Sequence, residues 1–166
     1  MRSPGVEALE HLLGSPFLEG FDLRDLAELA PRATVVSFEE SERVFTQGNP
    51  ATCLYLLITG AVELSVEGKG GGPAMVVQTV THEGHPIGWS AMVAPHRYRA
   101  TASVRCEQSS RLVTVPVAAF EELFERNPGL GYLILGRVAA GVADRLEQAR
   151  ERLLTAPREG PVGEAP

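Results

Sequence analysis

The rhythm of apolar residues changes twice along this 166-residue chain, and those two changes limit what it can fold into. At the start the intervals are helical. Val6, Leu9, Leu12 and Leu13 form one set, and after the break Gly14-Ser15-Pro16 a second set runs through Phe17, Leu18, Phe21, Leu23, Leu26 and Leu29. Asp22 stands where an N-cap would open the second helix. From about Ala33 to Pro116 the chain becomes a series of short strand-like runs between Gly, Pro and Asn turns. The runs are Thr34 to Val36, Arg43 to Phe45, Cys53 to Ile58, Ala61 to Val66, Met75 to Val77, Ala100 to Val104 and Leu112 to Val115. Thr59-Gly60 is expected to end the third run, and Gly68 to Gly72 to form a hairpin tip. So many short strands at this spacing predict a sandwich or barrel.

Beyond Pro116 the helical rhythm returns. Val117 to Arg126 reads as one helix closed by Asn127-Pro128-Gly129, and a long helix follows from about Leu130 to Leu154. Leu135, Val138, Val142, Leu146, Ala149 and Leu153 step by three, four, four, three and four, the heptad rhythm of a helix–helix seam. A homodimer through this helix is therefore expected. Gly136 and Gly141 weaken the helix and would leave room for close helix approach. The expected organisation is N-terminal helices at 1–30, a β-barrel at 31–116, C-terminal helices including the dimer helix at 117–154, and a disordered Pro-, Gly- and Glu-rich tail at 155–166.

Composition and motif content narrow the function. Fifteen basic residues against 21 acidic ones leave a net charge of −6, which argues against broad nucleic-acid binding. Cys53 and Cys106 form no C-x-x-C pair and are expected to be free thiols in a reducing compartment. Neither a signal-peptide pattern nor an apolar stretch of ~18 residues is visible, so a cytoplasmic protein without membrane contact is expected. His82, His85 and His96 lack the spacing of a metal-ligand set, and no metal is expected. No G-x-S-x-G elbow or cysteine–histidine motif is present, and Glu39-Glu40 and Glu121-Glu122 read as solvated pairs. The chain is expected not to be an enzyme.

The segment Val44-Phe45-Thr46-Gln47-Gly48-Asn49-Pro50, then Leu54 to Ile58, then Thr59-Gly60-Ala61-Val62, resembles the first half of a cyclic-nucleotide-binding domain of the catabolite-activator type. The resemblance spans roughly residues 16–153. It implies a double-stranded β-helix (jelly-roll) barrel with flanking helices, followed by a short helix and a long dimerisation helix. It also implies a phosphate-binding cassette, and Gly88 to Thr101 is the candidate. Gly88 matches the family's glycine, and Arg99, eleven residues on, matches its phosphate arginine, with Arg97 as a rival. Trp89 stands where the family has a glutamate that accepts the ribose hydroxyl, and an indole N–H only donates. The implied ligand-binding residues are Gly88, Trp89, Ser90, Ala91, Arg97, Arg99, Ala100 and Thr101.

The functional expectation is a single-domain sensor or regulatory protein that binds a nucleotide, cAMP or a relative, or another phosphate-bearing small molecule. The alternative is a ligand-free dimeric interaction or scaffold domain whose degenerate pocket is filled by Trp89. Relatives often carry a helix-turn-helix after the long helix. Only about a dozen unpatterned residues follow Leu154 here, so direct DNA contact is not expected, whereas a protein partner is.

Overall fold

The computed structural model describes residues 4–68, 70, 72–93, 96 and 98–155. Helix α1 (Pro4–Leu13) leads through a 3₁₀ turn at Pro16–Leu18 to α2 (Leu23–Leu29). The Asp22 side chain accepts from the Asp25 N–H, and Asp25 accepts in return from the Asp22 N–H, so the expected cap is a full capping box.

Six antiparallel strands follow: β1 (Thr34–Phe38), β2 (Arg43–Phe45), β3 (Cys53–Val66), β4 (Met75–Val80), β5 (Pro86–Ile87) and β6 (Ser103–Pro116). β3 and β6 pair from Cys53↔Pro116 to Ser65↔Ser103 and form the spine. β1 and β2 pair with β6, and β4 and β5 with β3. The sheet and its helices are those of the jelly-roll fold expected from sequence.

Thr59-Gly60 does not end the third strand, as the sequence reading had it. Gly60 takes a φ of +102°, the register shifts beside it, and the strand bends and continues to Val66. The two faces of this strand serve two cores. Leu54, Leu56 and Ile58 face the helices, while Leu57, Val62 and Leu64 face the barrel interior with Ile87, Val104 and Leu112. Burial on both faces is why Cys53 to Ile58 reads as an unbroken apolar run. β5 is too short to carry a periodic signal and was not foreseen. Ala100 to Ala102 lie outside the strands, contrary to expectation.

Helix α3 (Val117–Arg126) buries Val117, Phe120 and Leu123 at intervals of three, and Pro128 opens α4 (Pro128–Thr155). α4 buries Leu130, Ile134 and Val138, and beyond Val138 none of its residues is buried. Arginines fasten it to the N-terminal turn and to β4. Arg137 donates to the Phe17 and Glu19 carbonyls, both at 2.6 Å, Arg145 to Gln78 Oε1 at 2.6 Å, and Arg152 to the Val76 carbonyl at 3.3 Å.

Val138 thus belongs to the core of its own chain. The exposed apolar stripe is Tyr132, Leu135, Ala139, Val142, Leu146, Ala149 and Leu153, an unbroken three–four heptad. Gly136 and Gly141 meet nothing within 4 Å of an added Cβ, so within the chain they allow no close approach. Thr155 is the last residue of α4, and the expected tail at 156–166 lies outside the described residues. Among the described residues no helix is long and apolar enough to cross a membrane.

Candidate ligand site

Gly88 ends β5 with a φ of +81° and N-caps a single 3₁₀ turn, Trp89–Met92. Its open side meets Cys53 O and Phe45 Cζ only at ordinary contact distance, so the left-handed backbone is what calls for glycine here. The chain returns over this turn and is stitched to Gly48-Asn49-Pro50. Tyr98 N–H donates to Ala91 O and Ala51 N–H to Tyr98 O, each at 2.8 Å, while Gly48 N–H donates to Ala100 O at 2.8 Å and Ala100 N–H to Asn49 O at 3.0 Å.

This stitching decides where the expected residues lie. Gly88, Trp89, Ser90 and Thr101 line one small pocket at the barrel mouth, with Phe45, Leu64, Ala102, Val104 and Arg145. Ala91 and Ala100 are buried instead in a satellite cluster with Ala51 and Val117. Arg99 bridges Pro50 through its backbone and is exposed, while Ala100 beside it points inward. Arg99 is not among the residues that line the pocket with Thr101 and Ala102. Arg97 lies outside the described residues.

The cation at the pocket comes from elsewhere. Arg145 of α4 lays its guanidinium over the Trp89 ring, 5.1 Å from the centroid, within cation–π range. Its Nη2 donates to Gln78 Oε1 at 2.6 Å, and the Gln78 amide nitrogen lies 3.3 Å from His85 Nε2. Because the Gln78 oxygen accepts the arginine's hydrogen bond, its nitrogen donates, and His85 Nε2 accepts. That assigns His85 the neutral, Nδ1-protonated form. Burial first, then the charge of Arg145 and the neighbouring His82, pushes the His85 pKa down, in agreement. Burial likewise lowers Arg145 from the ordinary guanidinium value. Among the described residues no carboxylate lies within ion-pair distance of Arg145.

Two spaces meet at the Trp89–Arg145 pair. The pocket on the barrel side holds about 20 Å³, room for about one water molecule. On the other side a cleft of about 590 Å³ opens between α4, the Pro16–Leu18 turn and the segment 82–86. Sequence reasoning missed both Arg145 and Gln78. Arg145 looks like any charged residue of an amphipathic helix, and only its seven- and eight-residue spacing to Arg152 and Arg137 marks a face. Among the described residues no group of three His, Cys, Asp or Glu side chains could hold a metal ion.

A family model described as a cyclic nucleotide-binding domain matches residues 35–127, the barrel with its cassette and α3. The chain belongs to the cyclic nucleotide-binding domain family. A cyclic nucleotide-binding domain protein from Geobacter metallireducens has a solved structure 29% identical to it, with a TM-score of 0.69, covering 88% of this chain and 99% of that one. The sensor domain of the transcriptional regulator DNR from Pseudomonas aeruginosa is 20% identical, with a TM-score of 0.71, covering 86% of this chain and 93% of that one, and so speaks to fold alone. Among curated proteins, Glutaminase 1 from Bradyrhizobium diazoefficiens is 28% identical over 86% of this chain but only 22% of its own length. The chain therefore spans about a fifth of that relative. The cyclic nucleotide-binding domain fold supports a nucleotide-binding regulatory role.

Proposed function

We propose that this domain is a ligand-sensing module that binds a nucleotide or another phosphate-bearing small molecule against the Trp89–Arg145 pair and passes its occupancy to α4. One observation carries the reading. The Trp89–Arg145 contact joins the cassette directly to the outer half of α4, which buries nothing else and hangs on arginines. A ligand that disturbs the contact shifts that half-helix. The exposed heptad stripe on the opposite face of α4 supports a homodimer, so the shift would reach a partner chain. The family's regulatory relatives are in keeping with a regulator, which we place in the cytoplasm.

Calorimetric titration with cAMP, cGMP and cyclic dinucleotides tests the reading. Micromolar or tighter binding that Arg145→Ala weakens at least tenfold supports it. A second reading, a ligand-free dimeric interaction domain, is favoured by the pocket of about 20 Å³ behind Trp89. Its signature is a stable dimer with no heat from any of these ligands, and that result would overturn the sensor reading.

A further inference from the structure

The barrel pocket of about 20 Å³ cannot admit a metabolite as it stands, whereas the outer cleft of about 590 Å³ has the size of a small-molecule site. Trp89 and Arg145 line both spaces and form the wall between them. The cleft has an apolar floor of Phe17, Pro86, Val138 and Ala140. At its inner end sits a half-buried guanidinium that donates to one neutral amide and lies over one aromatic face, with no carboxylate at ion-pair distance among the described residues. Taking a cation out of water without a counter-charge is costly, and a site that keeps one beside an open cleft is built for an incoming anion.

The other charged groups leave that role to Arg145. Arg137 commits its guanidinium to two backbone carbonyls. Asp144 is exposed, and Glu83 is largely exposed and lies 3.8 Å from His11. Both acids therefore sit at the solvent rim. His85 and Gln78 flank the guanidinium as neutral hydrogen-bonding groups.

We infer that the outer cleft, rather than the barrel pocket, is the ligand site, and that it takes a small metabolite with one anionic group on Arg145 and an apolar body against the cleft floor. The inference rests on the sensor reading above and specifies its site. Its anionic group, carboxylate or phosphate, displaces the Gln78 amide or adds to it on the guanidinium's remaining N–H donors.

The experiment uses the whole chain with benzoate, phenyl phosphate and neutral benzamide as probes at constant ionic strength. Trp89 is the sole tryptophan, so its emission reports on the wall between the two spaces. Gly141 lines the cleft from α4 and has nothing within 4 Å of an added Cβ. Gly141→Leu therefore fills part of the cleft while keeping the Arg145 guanidinium, and replacing a helical glycine favours folding. Thr101→Val alters only the barrel pocket. The expected result is a saturable emission change with at least one anion and none with benzamide. Its apparent Kd should rise tenfold or more in both Gly141→Leu and Arg145→Ala, and stay within twofold in Thr101→Val. Comparing benzoate with phenyl phosphate identifies the preferred anion. Binding undiminished by Gly141→Leu, or no saturable response to either anion, overturns the cleft assignment. If cAMP still binds in calorimetry while Gly141→Leu changes nothing, only the location fails. If neither cAMP nor any probe binds, the sensor reading fails with it.

Discussion

Gly84→Ala should be among the most damaging single-methyl changes in this protein, and it tests how the cleft's N-terminal wall is attached. Gly84 has a φ of +74°, and a Cβ there would lie 2.6 Å from Pro16 Cδ and 2.8 Å from Ser15 Cα. Neither is the far end of a flexible side chain, so the Pro16–Leu18 turn must move. The left-handed backbone alone costs about 1–2 kcal/mol with a Cβ, and overpacking adds about 1–3 kcal/mol. The buried Ser15 hydroxyl donates to the Gly84 carbonyl at 2.8 Å, and pulling it away adds about 1–3 kcal/mol for an unsatisfied group. The sum is roughly 3–8 kcal/mol, a large part of the ~5–15 kcal/mol that a domain has in total. Gly48→Ala is the control, because Gly48 has a φ of +81° but nothing within 4 Å of the added carbon. It should lose only about 1–2 kcal/mol. Urea unfolding followed by far-ultraviolet circular dichroism compares the two at a common m-value. A difference under about 1 kcal/mol between the variants would refute the steric reasoning.

Three further expectations follow from particular side chains. Val138→Ala should destabilise the fold by about 2 kcal/mol with little effect on self-association, since Val138 is 6% exposed in its own core. Leu146→Asp should do the reverse, because Leu146 is 50% exposed on the heptad stripe; unfolding curves and analytical ultracentrifugation separate the two. His85 is held neutral with a lowered pKa, so the native state binds fewer protons than the unfolded chain just below the ordinary histidine value. Stability should therefore fall as pH drops from about 6.5 through the lower folded value. His85→Asn should flatten that part of the curve in denaturant titrations at stepped pH. Removing the cation in Arg145→Ala should change Trp89 emission without ligand, whereas Arg99→Ala should leave it unaltered.

What was legible in the sequence depended on how local the cause was. The Asp22 cap needs only residues three apart, and it was readable. The barrel was readable from its strand runs, but the bend at Gly60 was taken for an end. A glycine with positive φ stops a strand or turns it, and only pairing across to β6 decides which. The apolar stripe on α4 was readable from its rhythm, but Val138 belongs to the core of its own chain. Hydropathy marks a residue as apolar without saying whether its own barrel or a partner covers it. Arg99 has the family's eleven-residue distance from Gly88, yet spacing alone does not place a side chain: Arg99 bridges Pro50 through its backbone and is exposed. Arg145 was the hardest to see, because its partners Gln78 and Trp89 are 67 and 56 residues away. No local pattern encodes such a contact.

The central claim is that ligand occupancy reaches α4 through the Trp89–Arg145 contact, and hydrogen–deuterium exchange over residues 139–155 tests it most directly. A ligand shown to bind by calorimetry or Trp89 emission should change exchange across this half-helix in the wild type and leave it unchanged in Arg145→Ala. A bound ligand that leaves the wild-type half-helix untouched, or that alters it equally in Arg145→Ala, would contradict the account.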